Sequence, residues 1–156
     1  MIETEPLAAT QDARTNQVEV IAFCCNFCAY AAADLAGARR MQYPANVRIV
    51  HVPCTGKVEV KHLLAAFERG IDGILLAGCL EGGCHFVEGN LRAKRRVEAA
   101  KQVLDEIGLE RDRLRMVNLS ASEAPTFVAR IQEMVETINA LGPNPLRLPG
   151  EKEHAG

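Results

Sequence analysis

The chain has 156 residues, a formal net charge of −2, 48% apolar residues and 24% charged ones. That length and balance suit one globular domain able to build its own core without covalent staples. A near-neutral charge, 4% aromatic content and no Trp argue against nucleic-acid binding by a basic face or a stacking platform, and no apolar run approaches the roughly 18 residues that insert across a membrane.

Residues 1–17, "MIETEPLAATQDARTNQ", are polar, carry acids early and lack the apolar stretch of an export signal. A flexible terminus and a cytoplasmic protein are expected. The first strand-like run is "VEVIAF" at 18–23. It meets "CCNFC" and then an Ala-rich helix over about 29–42, which stops before Tyr43-Pro44 because the residue preceding proline disfavours the helical region. A second strand, "VRIVHV" at 47–52, leads through "PCTG" to a helix over 58–69, with Leu63, Leu64 and Phe67 on one face and Gly70 as its stop. "GILLAG" at 73–78 is the third strand. The helix that follows, over 88–107, repeats Val97, Ala100, Leu104 and Ile107 by threes and fours before Gly108. After "LRMVNL" at 114–119, Ser120-x-x-Glu123 has the pattern of a capping box, opening a helix that carries Phe127, Ile131, Val135 and Ile138 to Gly142-Pro143. Residues 143–156, rich in Pro and Gly, are expected to form a second flexible terminus.

Short, continuous apolar strands that alternate with helices predict a parallel sheet covered on both sides. The expected fold is a small three-layer flavodoxin- or Rossmann-like α/β domain over 18–142, with about four parallel strands and helices on both faces.

The six cysteines sit in a pattern on that frame. Cys24, Cys25 and Cys28 follow strand one, Cys54 follows strand two, and Cys79 and Cys84 follow strand three. All fall at the C-terminal edge of the strands, where open parallel sheets bind ligands. With a strand order of 2-1-3-4 the three loops become neighbours, about 4.8 Å apart strand to strand, and their thiols can converge. Gly78, Gly82 and Gly83 suit a loop folding closely about a bound group, with amide N–H groups directed at sulfur. A buried cysteine is also a small hydrophobe; that bland reading suits any one of the six better than all of them together.

Clustered cysteines without an export signal point to metal or redox chemistry rather than a disulfide framework, and three chemistries remain open. Cys25-Asn26-Phe27-Cys28 is a C-x-x-C at a helix start, the setting of a thiol–disulfide oxidoreductase, but it leaves Cys54, Cys79 and Cys84 unused. A structural zinc module takes four thiolates, though a domain with this much core needs no zinc to fold. An iron–sulfur cluster can draw thiolates from separated loops; a Rieske centre is disfavoured because no Cys-x-His pattern occurs. His85 beside Cys84 is a candidate ligand or a plain loop histidine. His51 and His62 read as structural, Glu88 and Asn90 as caps of the third helix, and "RAKRR" at 92–96 as a solvated helix face or a dock for an acidic partner.

The runs "AFCCNFCAYAAADLAGARRMQYPANVRIVHVPCTGKV", "GILLAGCLEGGCHFVEGNLRAKRRV" and "VNLSASEAPTF" resemble the iron–sulfur (delta) subunit of methyl-viologen-reducing hydrogenases, over about residues 18–142. The resemblance implies an electron-transfer subunit with a 2Fe–2S cluster, passing electrons from a hydrogenase or a formate dehydrogenase to the flavin subunit of heterodisulfide reductase. The family pattern matches Cys25, Cys28, Cys54, Cys79 and Cys84, and four of these five are the implied ligands. The family position of Cys24 is commonly aliphatic, which makes Cys24 the bystander. No general base, nucleophile triad, phosphate loop or dinucleotide fingerprint occurs in the sequence, which agrees with a chain that carries electrons without transforming a substrate itself.

Overall fold

The computed structural model describes residues 18–80 and 88–146. Strands β1 (Val20–Cys25), β2 (Val47–Val52), β3 (Gly73–Gly78) and β4 (Leu114–Asn118) form one parallel sheet in the order β2-β1-β3-β4. Helices α1 (Ala29–Ala38), α2 (Val60–Glu68), α3 (Gly89–Ile107) and α4 (Ala124–Leu141) alternate with the strands. The expected three-layer α/β architecture is therefore the observed one. β3 carries no polar side chain and is buried along its whole length, as a central strand covered on both faces must be. β2 lies at an edge and leaves Arg48 and His51 exposed.

The helices divide between the two faces. On one, Ala29, Ala32 and Ala36 of α1 and Phe127, Ile131, Met134 and Ile138 of α4 pack on Val20, Ala22, Cys24, Leu75 and Ala77. On the other, Leu63 and Phe67 of α2 and Ala93, Val97, Ala100 and Leu104 of α3 cover Ile74, Leu76 and Leu114. The methyl side chains let α1 lie close to the sheet, while the α4 stripe supplies large side chains, each stabilising by about 1.5–3 kcal/mol when fully buried. Among the described residues no helix is long and apolar enough to cross a membrane.

Several boundaries differ from the sequence expectation, for local reasons. β1 runs two residues further, because Cys24 and Cys25 stay in register with His51 and Val52 of β2; these cysteines end the strand rather than follow it. α1 stops at Ala38. Arg40 adopts a left-handed φ of 54°, and the Met41 and Arg40 amides return to the carbonyls of Ala36 and Gly37, closing the helix as a Schellman motif. α2 opens on a reciprocal capping box between Glu59 and His62. α4 begins only at Ala124. Glu123 does accept the Ser120 amide, but the Ser120 hydroxyl turns to Ser122, and Pro125 occupies the first turn.

A buried polar knot closes the edge of the sheet opposite the cysteines. Asp72 accepts the amides of Glu19 and Asn144, both at 2.6 Å. Asn144 donates to the carbonyls of Phe67 and Ile71, and Arg113 donates to those of Asp72 and Gly142. Asn144, in a segment expected to be flexible, is thus buried and hydrogen-bonded.

Candidate metal centre

The chain leaves β1 through α1 to β2 on one side and places β3 on the other, so the strand order reverses between β1 and β3. With α1 on one face and α3 on the other, the ends of β1 and β3 form the switch point where sheets of this kind bind ligands. Cys25 is the last residue of β1 and Cys79 the first after β3. Their Sγ atoms lie 3.7 Å apart. Cys28, at the N-cap position of α1, adds a third Sγ, and the three sulfurs lie within 4.8 Å of one another. Cys25 and Cys79 are buried and Cys28 half-buried.

This geometry suits a metal. Two thiolates on one tetrahedral ion at about 2.3 Å stand about 3.8 Å apart, and the Cys25–Cys79 separation matches that edge. The Ala29 amide, first in α1, points at Cys25 Sγ at 3.4 Å, and the Gly56 amide points at Cys54 Sγ at 3.4 Å. The positive end of the α1 dipole lies on the same side as these amide donors. Cys24 is placed differently. Its side chain alternates to the other side of β1, enters the core with no exposed surface, and lies 3.8 Å from the Ala22 carbonyl. Burial, and then the neighbouring Cys25, push its thiol up to about 12, and Cys24 stands outside the three-thiol group.

Cys54 is buried at the same edge, where it caps a one-turn 3-10 helix, Thr55–Lys57, but it stands outside the three-thiol group. Cys84 and His85 lie outside the described residues. Phe27, Tyr30 and Leu80 remain exposed beside the thiol-bearing turns. His51 stacks on Tyr30 with ring centroids 4.2 Å apart and bonds Asn26 Oδ1 at 2.7 Å, bracing the Cys25–Cys28 turn from β2.

Three side chains act differently from the sequence reading. Asn90 does not cap α3; its Nδ2 donates to the carbonyls of Cys79 and Leu80 at 3.0 and 2.9 Å. Glu88, at the N-cap position, makes no side-chain cap bond. Arg96 leaves the solvated face of the "RAKRR" run and donates to the carbonyls of Gly56 and Val58. Thr55, next to Cys54, fills the space a Cβ on Gly78 would take, with Oγ1 3.0 Å from that position. Asn90 sits beside Gly89 in the "EGN" run, and that was its only sequence signal.

Fold and site together define a class: a small doubly wound α/β domain whose switch point carries a thiol group able to hold a metal. The family model described as methyl-viologen-reducing hydrogenase, delta subunit (FlpD), matches residues 20–142, and the chain belongs to that family. It is similar to the vhu iron-sulfur subunit of the F420-non-reducing hydrogenase of Methanocaldococcus jannaschii, 51% identical over 128 residues, covering 82% of this chain and 96% of that protein. The protein of the same description from Methanopyrus kandleri is 48% identical over 124 residues, covering 80% of this chain and 94% of its own. One subunit of the ferredoxin/F(420)H(2)-dependent CoB-CoM heterodisulfide reductase of Methanosarcina acetivorans is 42% identical over 124 residues, covering 80% of this chain but 16% of that longer protein.

Proposed function

We propose that this chain is an electron-transfer subunit that holds a 2Fe–2S cluster on Cys25, Cys28 and Cys79, with Cys54 or Cys84 completing the set. It relays electrons between a hydrogenase, or a formate dehydrogenase, and the flavin subunit of heterodisulfide reductase. The observation that carries this reading is the group of three thiols within 4.8 Å of one another at the sheet's switch point. The relatives' descriptions support the setting: some are iron-sulfur subunits of hydrogenases. Another is a heterodisulfide reductase subunit in which a stretch similar to this chain is part of a longer protein.

When bound, the cluster supplies one-electron transfer at a potential set by its hydrogen bonds and exposure. The residues around it do the rest. Ala29 and Gly56 direct amides at Cys25 and Cys54 sulfur, which stabilises negative charge there. Cys28, half-buried, and the exposed Phe27, Tyr30 and Leu80 give a partner protein an apolar rim against which to exclude water.

The relay is tested by mixing dithionite-reduced, desalted chain with the oxidised flavin subunit of heterodisulfide reductase, and following flavin bleaching by stopped flow. Bleaching that is lost in Cys79→Ser is the expected result. Equal bleaching by wild type and C79S, or none with a fully loaded wild type, would contradict it.

A further inference from the structure

Three residues in the first two turns of α3 touch both flanking cysteine loops. Gly89 packs flat against the Cys54 loop: a Cβ on Gly56 would lie 2.9 Å from Gly89 Cα and O. Arg96 takes the carbonyls of Gly56 and Val58 from the same loop. Asn90, 1% exposed, takes the carbonyls of Cys79 and Leu80 with one amide nitrogen. All of these bonds go to carbonyls and none to a thiol.

We propose that α3 is a bracket that fixes the Cys54 loop relative to the Cys79 loop, with Arg96 and Asn90 as positioning residues for the metal-binding thiols. α3 does not need these two side chains to stay on the sheet, because Ala93, Val97, Ala100 and Leu104 already anchor it in the core. A cation two turns into a helix gains nothing from the dipole, whose negative end lies at the far terminus; here the Arg96 guanidinium is spent on two loop carbonyls. The consequence reaches sulfur through the backbone. The amide aimed at Cys54 Sγ belongs to Gly56, the residue that both Gly89 and Arg96 contact, so releasing the loop loosens donor and thiol together. Outer partners of this kind typically change metal affinity by about 10–100-fold.

The bracket rests on the cluster reading for its iron readouts and is separable from it. The full chain, reconstituted anaerobically, is compared as wild type, Arg96→Gln, Arg96→Lys and Asn90→Ala. Release of iron to a chelator should quicken about 10-fold in R96Q and N90A, with a broadened EPR line after dithionite reduction. R96K, which keeps the charge and N–H donors but not the planar guanidinium, should fall between. Melting of the metal-free R96Q chain should barely move, which a merely structural role would not allow. Cobalt(II) titration of the metal-free chain, followed by thiolate-to-metal charge-transfer absorption, reads the same thiols without any cluster. There R96Q should bind about 10-fold more weakly, even if the wild type proves to hold no iron. Equal iron release and equal cobalt(II) affinity across the four chains would overturn the bracket, as would losses wholly matched by a fall in melting temperature.

Discussion

Mild oxidation of the metal-free chain shows which thiols the fold holds together. Cys25 and Cys79 Sγ are 3.7 Å apart, and a disulfide needs about 2.05 Å, so each sulfur has less than about 1 Å to travel. Neighbouring strands about 4.8 Å apart also satisfy the Cα spacing of about 4.4–6.8 Å that a disulfide requires. The bridge would close a separation of 54 residues, which removes about 4 kcal/mol of unfolded-chain entropy at 25 °C, against about 2 kcal/mol for the short Cys25–Cys28 loop. With glutathione disulfide as oxidant, two protein thiols and one glutathione disulfide give one protein disulfide and two reduced glutathiones. Alkylation, digestion and mass spectrometry should find Cys25 joined to Cys79, with a raised melting temperature that reverts on reduction. A Cys25–Cys28 bridge as the main product, with thiol–disulfide exchange activity, would refute the reasoning and favour an oxidoreductase.

Other outcomes follow from single side chains. Cys24→Ala should keep wild-type metal loading and EPR, since the Cys24 thiol is buried and stands outside the three-thiol group; loss of metal in C24A would place it at the site. Phe127→Ala removes a side chain with no exposed surface and should cost about 3–5 kcal/mol in chemical denaturation. Glu110 is held below its ordinary value of 4.5 by the hydrogen bond from Arg113, at 2.6 Å. A carboxylate depressed in the folded state stabilises above its unfolded value, and that contribution fades as pH falls through the lowered one. Glu110→Gln should therefore lower the melting temperature at pH 7 and converge on wild type in acid.

The order of elements was legible because apolar runs and periodicity are local properties: "GILLAG" reads as a fully covered strand and is one. Convergence of the cysteine loops was legible only conditionally, through the strand order that the sheet adopts. Where the reading fell short, the cause was tertiary. Two cysteines can extend a strand as well as leave it, so β1 reached Cys25. A left-handed Arg40 leaves no glycine to announce it, so α1 seemed longer. Arg96 differs from Arg92 and Arg95 only by which way the helix turns it, and the loop carbonyls it meets are 38 and 40 residues away in sequence. Asn90 looks like a cap residue at a helix start, yet its partners are the backbone just past β3.

The central claim, that strand-end thiols at the switch point hold a 2Fe–2S cluster, is tested most directly by measuring iron and acid-labile sulfide per chain on anaerobically purified protein. The expected result is about two irons and about two sulfides per chain, with an EPR signal at low temperature after dithionite reduction. Zinc alone, or no metal with a readily titrated dithiol, would contradict it.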